Sequence, residues 1–118
     1  MREIVFFKDS NGECPIEDFL DGLSAKHAQK VTWVMRLIEE LDRIPELYLK
    51  KLSASDGIWE IRIQASSNIF RVLGFFEANS FIATNGFCKK SQKTPLSEIA
   101  LAKKRKREYI DNRGNTNE

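Results

Sequence analysis

Hydrophobic positions along this chain change period twice. Glu3 to Phe7 is a short β-branched and aromatic run that predicts a strand, and Asp9-Ser10-Asn11-Gly12 follows as a turn cluster. From Pro15 the period lengthens. Pro15 suits a first helical position, and Ile16, Phe19 and Leu20 recur at helical spacing until Gly22. Ser24 can cap a second helix. Its apolar stripe is Ala28, Val31, Met35 and Ile38, widened by Val34 and Leu41. It runs to about Arg43, and Pro45 stops it. Trp33 and Leu37 flank the stripe and are expected to pack rather than to bind.

Between residues 58 and 88 the period drops to two. Trp59, Ile61 and Ile63 alternate with Glu60, Arg62 and Gln64, as in a half-buried strand. Ala65 to Asn68 reads as a turn, Ile69 to Phe76 as a second strand, Glu77 to Ser80 as a turn and Phe81 to Cys88 as a third strand. Two short connections in succession predict an antiparallel meander. Thr94 as N-cap and Pro95 as first residue then open a last helix. Ile99, Ala102, Lys106 and Tyr109 share one of its faces, and Arg113-Gly114 marks its end. The order β-α-α-β-β-β-α makes an α+β fold, a small antiparallel sheet packed on one face by helices. The other face is left available to a ligand. One domain over residues 1–114 and a frayed polar tail at 115–118 are expected.

Composition agrees with a folded domain: 42% of the 118 residues are hydrophobic and 31% are charged. The net charge of +2 hides a segregation. Residues 1–49 carry six basic and ten acidic side chains, whereas residues 86–113 carry nine and three. A basic C-terminal third attracts polyanions. Cys14 and Cys88 form no CxxC pair and His27 stands alone, which argues against structural zinc. The first apolar run, Ile4 to Phe7, is short for a secretory leader. No run approaches the roughly 18 apolar residues of a membrane span. The expected setting is cytoplasmic, with reduced thiols.

The chemistry narrows by exclusion. There is no GxSxG elbow, Walker A loop or HExxH helix, and no acidic cluster for a two-metal nuclease. His27 reads as a surface or interface residue, and the cysteines as core or edge. The informative residues are cations. Arg62 shares the polar side of its strand with Glu60. Arg71 interrupts the apolar run Ile69-Phe70-Arg71-Val72-Leu73, where an arginine needs a partner or a water-filled groove. An ion pair with Glu60 or Glu77 would be the purely structural explanation. Lys89, Lys90 and Lys93 lead into a helix start, whose free N–H groups favour anions. Such a set suits phosphodiester binding, and Lys50 and Lys51 could extend it. Lys103, Lys104, Arg105, Lys106 and Arg107 form either a solvated helix face or a grip on RNA.

Gly86-Phe87-Cys88-Lys89-Lys90-Ser91-Gln92-Lys93-Thr94-Pro95-Leu96-Ser97-Glu98-Ile99-Ala100-Leu101-Ala102 resembles the F-x-K-K-t-x-K-T-P-x-x-E-I-x-x-A signature of phage-derived, HigB-like toxins of the RelE/ParE superfamily. Leu52, Trp59-Glu60-Ile61-Arg62 and Phe70-Arg71-Val72-Leu73 resemble that family's strands. The match runs in order over nearly the whole chain. The resemblance implies a RelE-like fold and the toxin of a type II toxin–antitoxin pair. It implies cleavage of messenger RNA in the ribosomal A site, a HigA-like helix-turn-helix antitoxin as partner, and no metal or organic cofactor. Arg62, Arg71, Lys89 and Lys90 match basic residues of RelE-type active sites, and Lys93 belongs to the signature. The histidines that some HigB proteins use have no counterpart here. Tyr109 is the nearest candidate for the tyrosine of other relatives.

Metal-free RNA cleavage needs a base for the 2′-hydroxyl, cations for the phosphorane and an acid for the leaving 5′-oxygen. Glu60, or a lysine with lowered pKa, is a candidate base. Arg62 and Arg71 would hold the phosphate, and Lys89 or Lys90 would supply the proton. Two alternatives share these sequence features in part. One is a ParE-like gyrase inhibitor without nuclease activity. The other is a non-catalytic RNA-binding module, for which exposed strand aromatics would be expected.

Overall fold

A computed structural model describes residues 2–90 and 93–116. The elements run β1 (Glu3–Phe6), α1 (Pro15–Asp21), α2 (Ala25–Glu40), β2 (Leu49–Lys51), β3 (Trp59–Ala65), β4 (Asn68–Glu77), β5 (Ser80–Lys89) and α3 (Leu96–Thr116). The meander predicted from the two-residue period is there as β3, β4 and β5, joined by two-residue loops at Ser66-Ser67 and Ala78-Asn79.

Two features of the sheet depart from expectation. It has five strands in the order β1-β5-β4-β3-β2, and β1 lies parallel to β5, so the sheet is mixed rather than antiparallel. The added strand β2 pairs antiparallel with Trp59–Ile61. It has three residues, two of them exposed lysines, so it carries no readable alternation. The parallel pairing matches Glu3 with Ser80 and Phe6 with Ala83. Such a choice of partner is non-local and leaves no local trace in the sequence.

Alternation along the strands makes two cores. On one face α1 and α2 cover Ile61, Ile63, Phe70, Val72, Phe81 and Ala83 with Ile16, Val31, Val34, Met35 and Ile38. The apolar stripe predicted for α2 supplies this layer. Phe19 of α1 fits only because Gly86 has no side chain: a Cβ there would stand 2.5 Å from the Phe19 ring. The other face is not open along its whole length, as the sequence suggested. α3 lies over one half of it and closes a second core of Phe7, Ile58, Leu73, Phe75, Ile82 and Ala102, with Ile99 and Tyr109 at its border. Helices therefore sandwich the sheet at that end.

The start of α3 also differs. The helix begins at Leu96, and the carbonyl of Pro95 accepts from the amides of Glu98 and Ile99. The Thr94 hydroxyl does not cap it but donates to Glu60 Oε2. At its far end α3 passes the expected stop at Gly114 and continues to Thr116. Residues 117 and 118 of the expected tail lie outside the described residues.

Candidate phosphodiester-binding groove

The half of the second face that α3 leaves uncovered carries the cations. Register places Arg62 opposite Arg71 and Lys89 opposite Ile69, so alternation turns Arg62, Arg71 and Lys89 to one side of the sheet. Glu60 lies one pleat further along β3, on the same side and opposite Leu73. An open groove of about 700 Å³ runs over this region. Its charged walls are Arg62, Arg71, Lys89 and Lys90, and Ser67, Asn68, Ile69 and Cys88 complete it.

Glu60 organises the arginines. It is only 3% exposed. Its Oε1 stands 3.3 Å from Nε of Arg71 and 3.6 Å from Nε of Arg62. Its Oε2 accepts the Thr94 hydroxyl. Arg71 is 6% exposed, and its Nη1 donates to the carbonyl of Phe70 at 3.0 Å. The ion pair that the sequence offered as a structural explanation is therefore present, and the same arginine also lines the groove. A carboxylate held by two guanidiniums and a hydroxyl is compensated where it is buried. The two arginines are thereby fixed side by side.

Burial lowers the Arg71 pKa. Glu60 opposes that shift and Arg62 adds to it. Lys89 is also lowered from the usual lysine value. Burial is the main cause, then the charge of Arg71. Glu60 pulls the other way, and Arg62 and Lys50 push further down. A crowd of like charges in a half-covered site favours the neutral amine.

The remaining basic residues divide. Lys50 shares the groove's electrostatics from β2 but sits beside Glu46 at 3.9 Å. Lys51 pairs in register with Trp59, one position out of phase with Lys50, and so turns to the opposite side. Lys93 is exposed just before Thr94. The run on α3 is not one surface. Lys103 reaches Asp56 at 3.8 Å and Lys106 donates to the Asp56 carbonyl. Arg105 donates to the Thr84 carbonyl at 2.9 Å and lies over the Phe7 ring. Lys104 and Arg107 alone of the five are exposed, the other three being half-buried. A helix that packs on a sheet every third or fourth residue must spend half of such a run on its inner side.

Tyr109 stacks edge-on to Phe75 at 5.7 Å, in the covered half and away from the groove. His27 leans on Phe70 at 5.3 Å. Cys14 is buried before α1, and Cys88 is exposed at the groove wall. Trp33 packs in part: its ring meets Tyr48 edge-on and lies beneath the Lys30 ammonium, while 48% of the residue is exposed. Among the described residues no three His, Cys, Asp or Glu side chains gather as a metal site. No helix among them is long and apolar enough to cross a membrane.

Fold and groove together define a small α+β protein with a cationic, carboxylate-braced groove at one end of its sheet. Residues 18–107 match the family described as "Phage derived protein Gp49-like (DUF891)". That stretch is most of the chain, and the chain belongs to this phage-derived family, part of the RelE/HigB-like toxin superfamily. No curated protein matches the sequence.

Proposed function

We infer that this protein is the HigB-like toxin of a type II toxin–antitoxin pair, and that it cleaves messenger RNA on the ribosome without a metal. One observation carries the reading. Arg62, Arg71, Lys89 and Lys90 line one groove, and among the described residues no carboxylate shares its walls. Four converging cations offer charge stabilisation where a phosphorane develops, and guanidinium matches phosphate oxygens in a fork.

The roles divide by exposure. Glu60, buried and held on both oxygens, braces the arginines and is poorly placed to take a proton from substrate. Arg62 and Arg71 grip the non-bridging oxygens. Lys89, whose pKa is lowered by burial and its cationic neighbours, is the group best suited to exchange a proton with the ribose or the leaving oxygen. Lys90, exposed at the rim, is the alternative proton donor. Lys50 and the exposed Lys104 and Arg107 add long-range attraction to ribosomal RNA. A HigA-like helix-turn-helix antitoxin would complete the pair.

The test is cell-free translation with purified protein, with messenger 5′ ends mapped by primer extension in the presence and absence of ribosomes. Wild type should cut only with ribosomes. Arg71→Ala and Lys89→Ala should each lose on the order of a hundredfold in cleavage rate. Arg71 is also a structural partner, so circular dichroism of both variants is part of the experiment. Intact messenger with normal translation overturns the reading and redirects attention to inhibition of gyrase supercoiling.

A further inference from the structure

The cationic groove does not stop at the sheet face. β2 pairs only with Trp59–Ile61, so β3 has no strand partner on its outer edge beyond that point. The Arg62 amide donates to the Tyr48 carbonyl at 2.7 Å, and there the pairing ends. Around this edge lies a cavity of about 510 Å³. Arg62, Arg71 and Ile69 wall it on the groove side, and Tyr48, Leu47 and Lys30 on the other. A third cavity, of about 480 Å³, shares Lys30, Gln64 and Ser66 with the second and reaches Trp33 and Lys26 on α2. The three cavities are neighbours with walls in common, and together they form a trough-like track from Lys90 around the sheet edge to Trp33.

The trough has one sign of charge. Its charged lining residues are Lys90, Lys89, Arg71, Arg62, Lys30 and Lys26; among the described residues no carboxylate lines it, and Glu60 lies buried behind the two arginines. Lys26 and Lys30 come from the acidic N-terminal segment, where ten acidic side chains oppose six basic ones. The fold thus selects two lysines from an acidic region and aligns them with the basic strand residues. At the far end Trp33 is 48% exposed. The Lys30 ammonium lies 4.7 Å from its ring centroid, and Tyr48 meets it edge-on at 6.2 Å. A single exposed aromatic is ordinary. A held aromatic at the end of a continuous cationic track is the arrangement that binds single strands, with phosphates on the cations and a base on the ring.

We propose that the trough holds a single strand of RNA that wraps the open edge of β3, with an unpaired base stacked on Trp33 at a subsite remote from the Arg62–Arg71 pair. This rests on the reading of that pair as a phosphodiester site, because the same strand occupies both. An acidic peptide would satisfy the charge as well. Continuity with the arginine groove favours the nucleic acid.

The probe is a fluorescein-labelled, 2′-O-methylated octauridylate. It lacks the 2′-hydroxyl and cannot be cut by transesterification, so binding is read apart from any nuclease activity. Trp59→Phe leaves Trp33 as the only tryptophan of the two in the chain. Its emission should be quenched by the octanucleotide and unchanged by the corresponding dinucleotide. Trp33→Ala should weaken octanucleotide binding by about tenfold, as the loss of one stacked base does. It should leave dinucleotide binding unchanged, and Trp33→Phe should restore affinity. Lys26→Gln with Lys30→Gln should reduce the slope of log K against log salt by about 1.4, the value for two released counterions on a single strand. Equal binding by Trp33→Ala and wild type overturns the subsite. So does quenching of Trp33 by an oligoglutamate peptide but not by the oligonucleotide, which assigns the trough to a protein partner. Messenger left intact on ribosomes while the Trp33 dependence holds overturns the nuclease reading alone. Messenger cut normally while Trp33→Ala binds as wild type overturns the subsite alone.

Discussion

Arg71 and Leu73 are two residues apart on β4 and point to the same side of the sheet. Leu73 is fully buried under α3, and Arg71 borders an open groove. The two halves of this one sheet face share strands, register and direction. They differ in whether a helix lies above them. Periodicity decides which side a residue faces, and the point where the next element begins decides whether that side becomes core or site. A polar seam marks the boundary. Thr94 donates to Glu60, and Asn85 donates to the Glu98 side chain at 2.9 Å. Both links join the start of α3 to the strands below it.

The largest expected effect lies in the covered half. Phe75→Ala should cost about 3–5 kcal/mol of stability, read from the midpoint of urea unfolding. Cleavage per folded molecule should stay near wild type. A loss of cleavage in fully folded Phe75→Ala would mean that the halves are not separable. The converse variant is Lys89→Ala. Its stability should change by no more than about 0.5 kcal/mol, against a loss on the order of a hundredfold in cleavage. Thr94→Val strikes the seam. It removes a hydrogen bond to a buried carboxylate and should cost about 1.5–3 kcal/mol. It should also weaken RNA binding, because Glu60 then holds the arginines less firmly. A stability loss with unchanged RNA affinity would show that the seam serves packing only.

The smallest effect is a pH dependence with two opposite signs. The folded state lowers the Lys89 pKa, so over the range from that value up to the ordinary lysine value, about 10.4, the unfolded chain binds more protons. Stability from this group therefore rises with pH across that range. RNA affinity falls over the same range, because the groove loses a positive charge. Lys89→Arg should flatten both curves, as measured by urea midpoints and by oligonucleotide titration from neutral to alkaline pH.

Much of this was legible in the sequence for a local reason. β3 and α2 bury mainly one side, so their periods show, while β4 and β5 are runs buried on both sides and legible from the short polar turns that bound them. The braced arginine of β4 was visible because Arg71 stands in an apolar run that has no other use for it. β2 was illegible because three residues with two lysines show no period. The parallel place of β1 and the cover given by α3 are choices of partner across the chain. Thr94 followed capping statistics until a buried carboxylate offered its hydroxyl a stronger acceptor. The half-exposure of Trp33 was not legible, because a position beside a helical stripe becomes core or surface according to what packs next to it. There β2 stops short and leaves the space empty.

The pairing of β1 with β5 has a consequence for synthesis. Glu3 and Ser80 are partners in one ladder, and Glu60 is held by Thr94 from beyond the last strand. Closing such long loops costs entropy before any contact is gained. A chain emerging from the ribosome at roughly 5–20 residues per second must wait several seconds with its first strand unpaired. The Glu60 contacts to Arg62 and Arg71 lie within the β3–β4 hairpin, but the Thr94 link that completes the brace needs the chain to have passed β5. The brace of the cationic groove thus stays incomplete for most of the chain's own translation, and the proposed activity should appear only once nearly the whole sequence has been made.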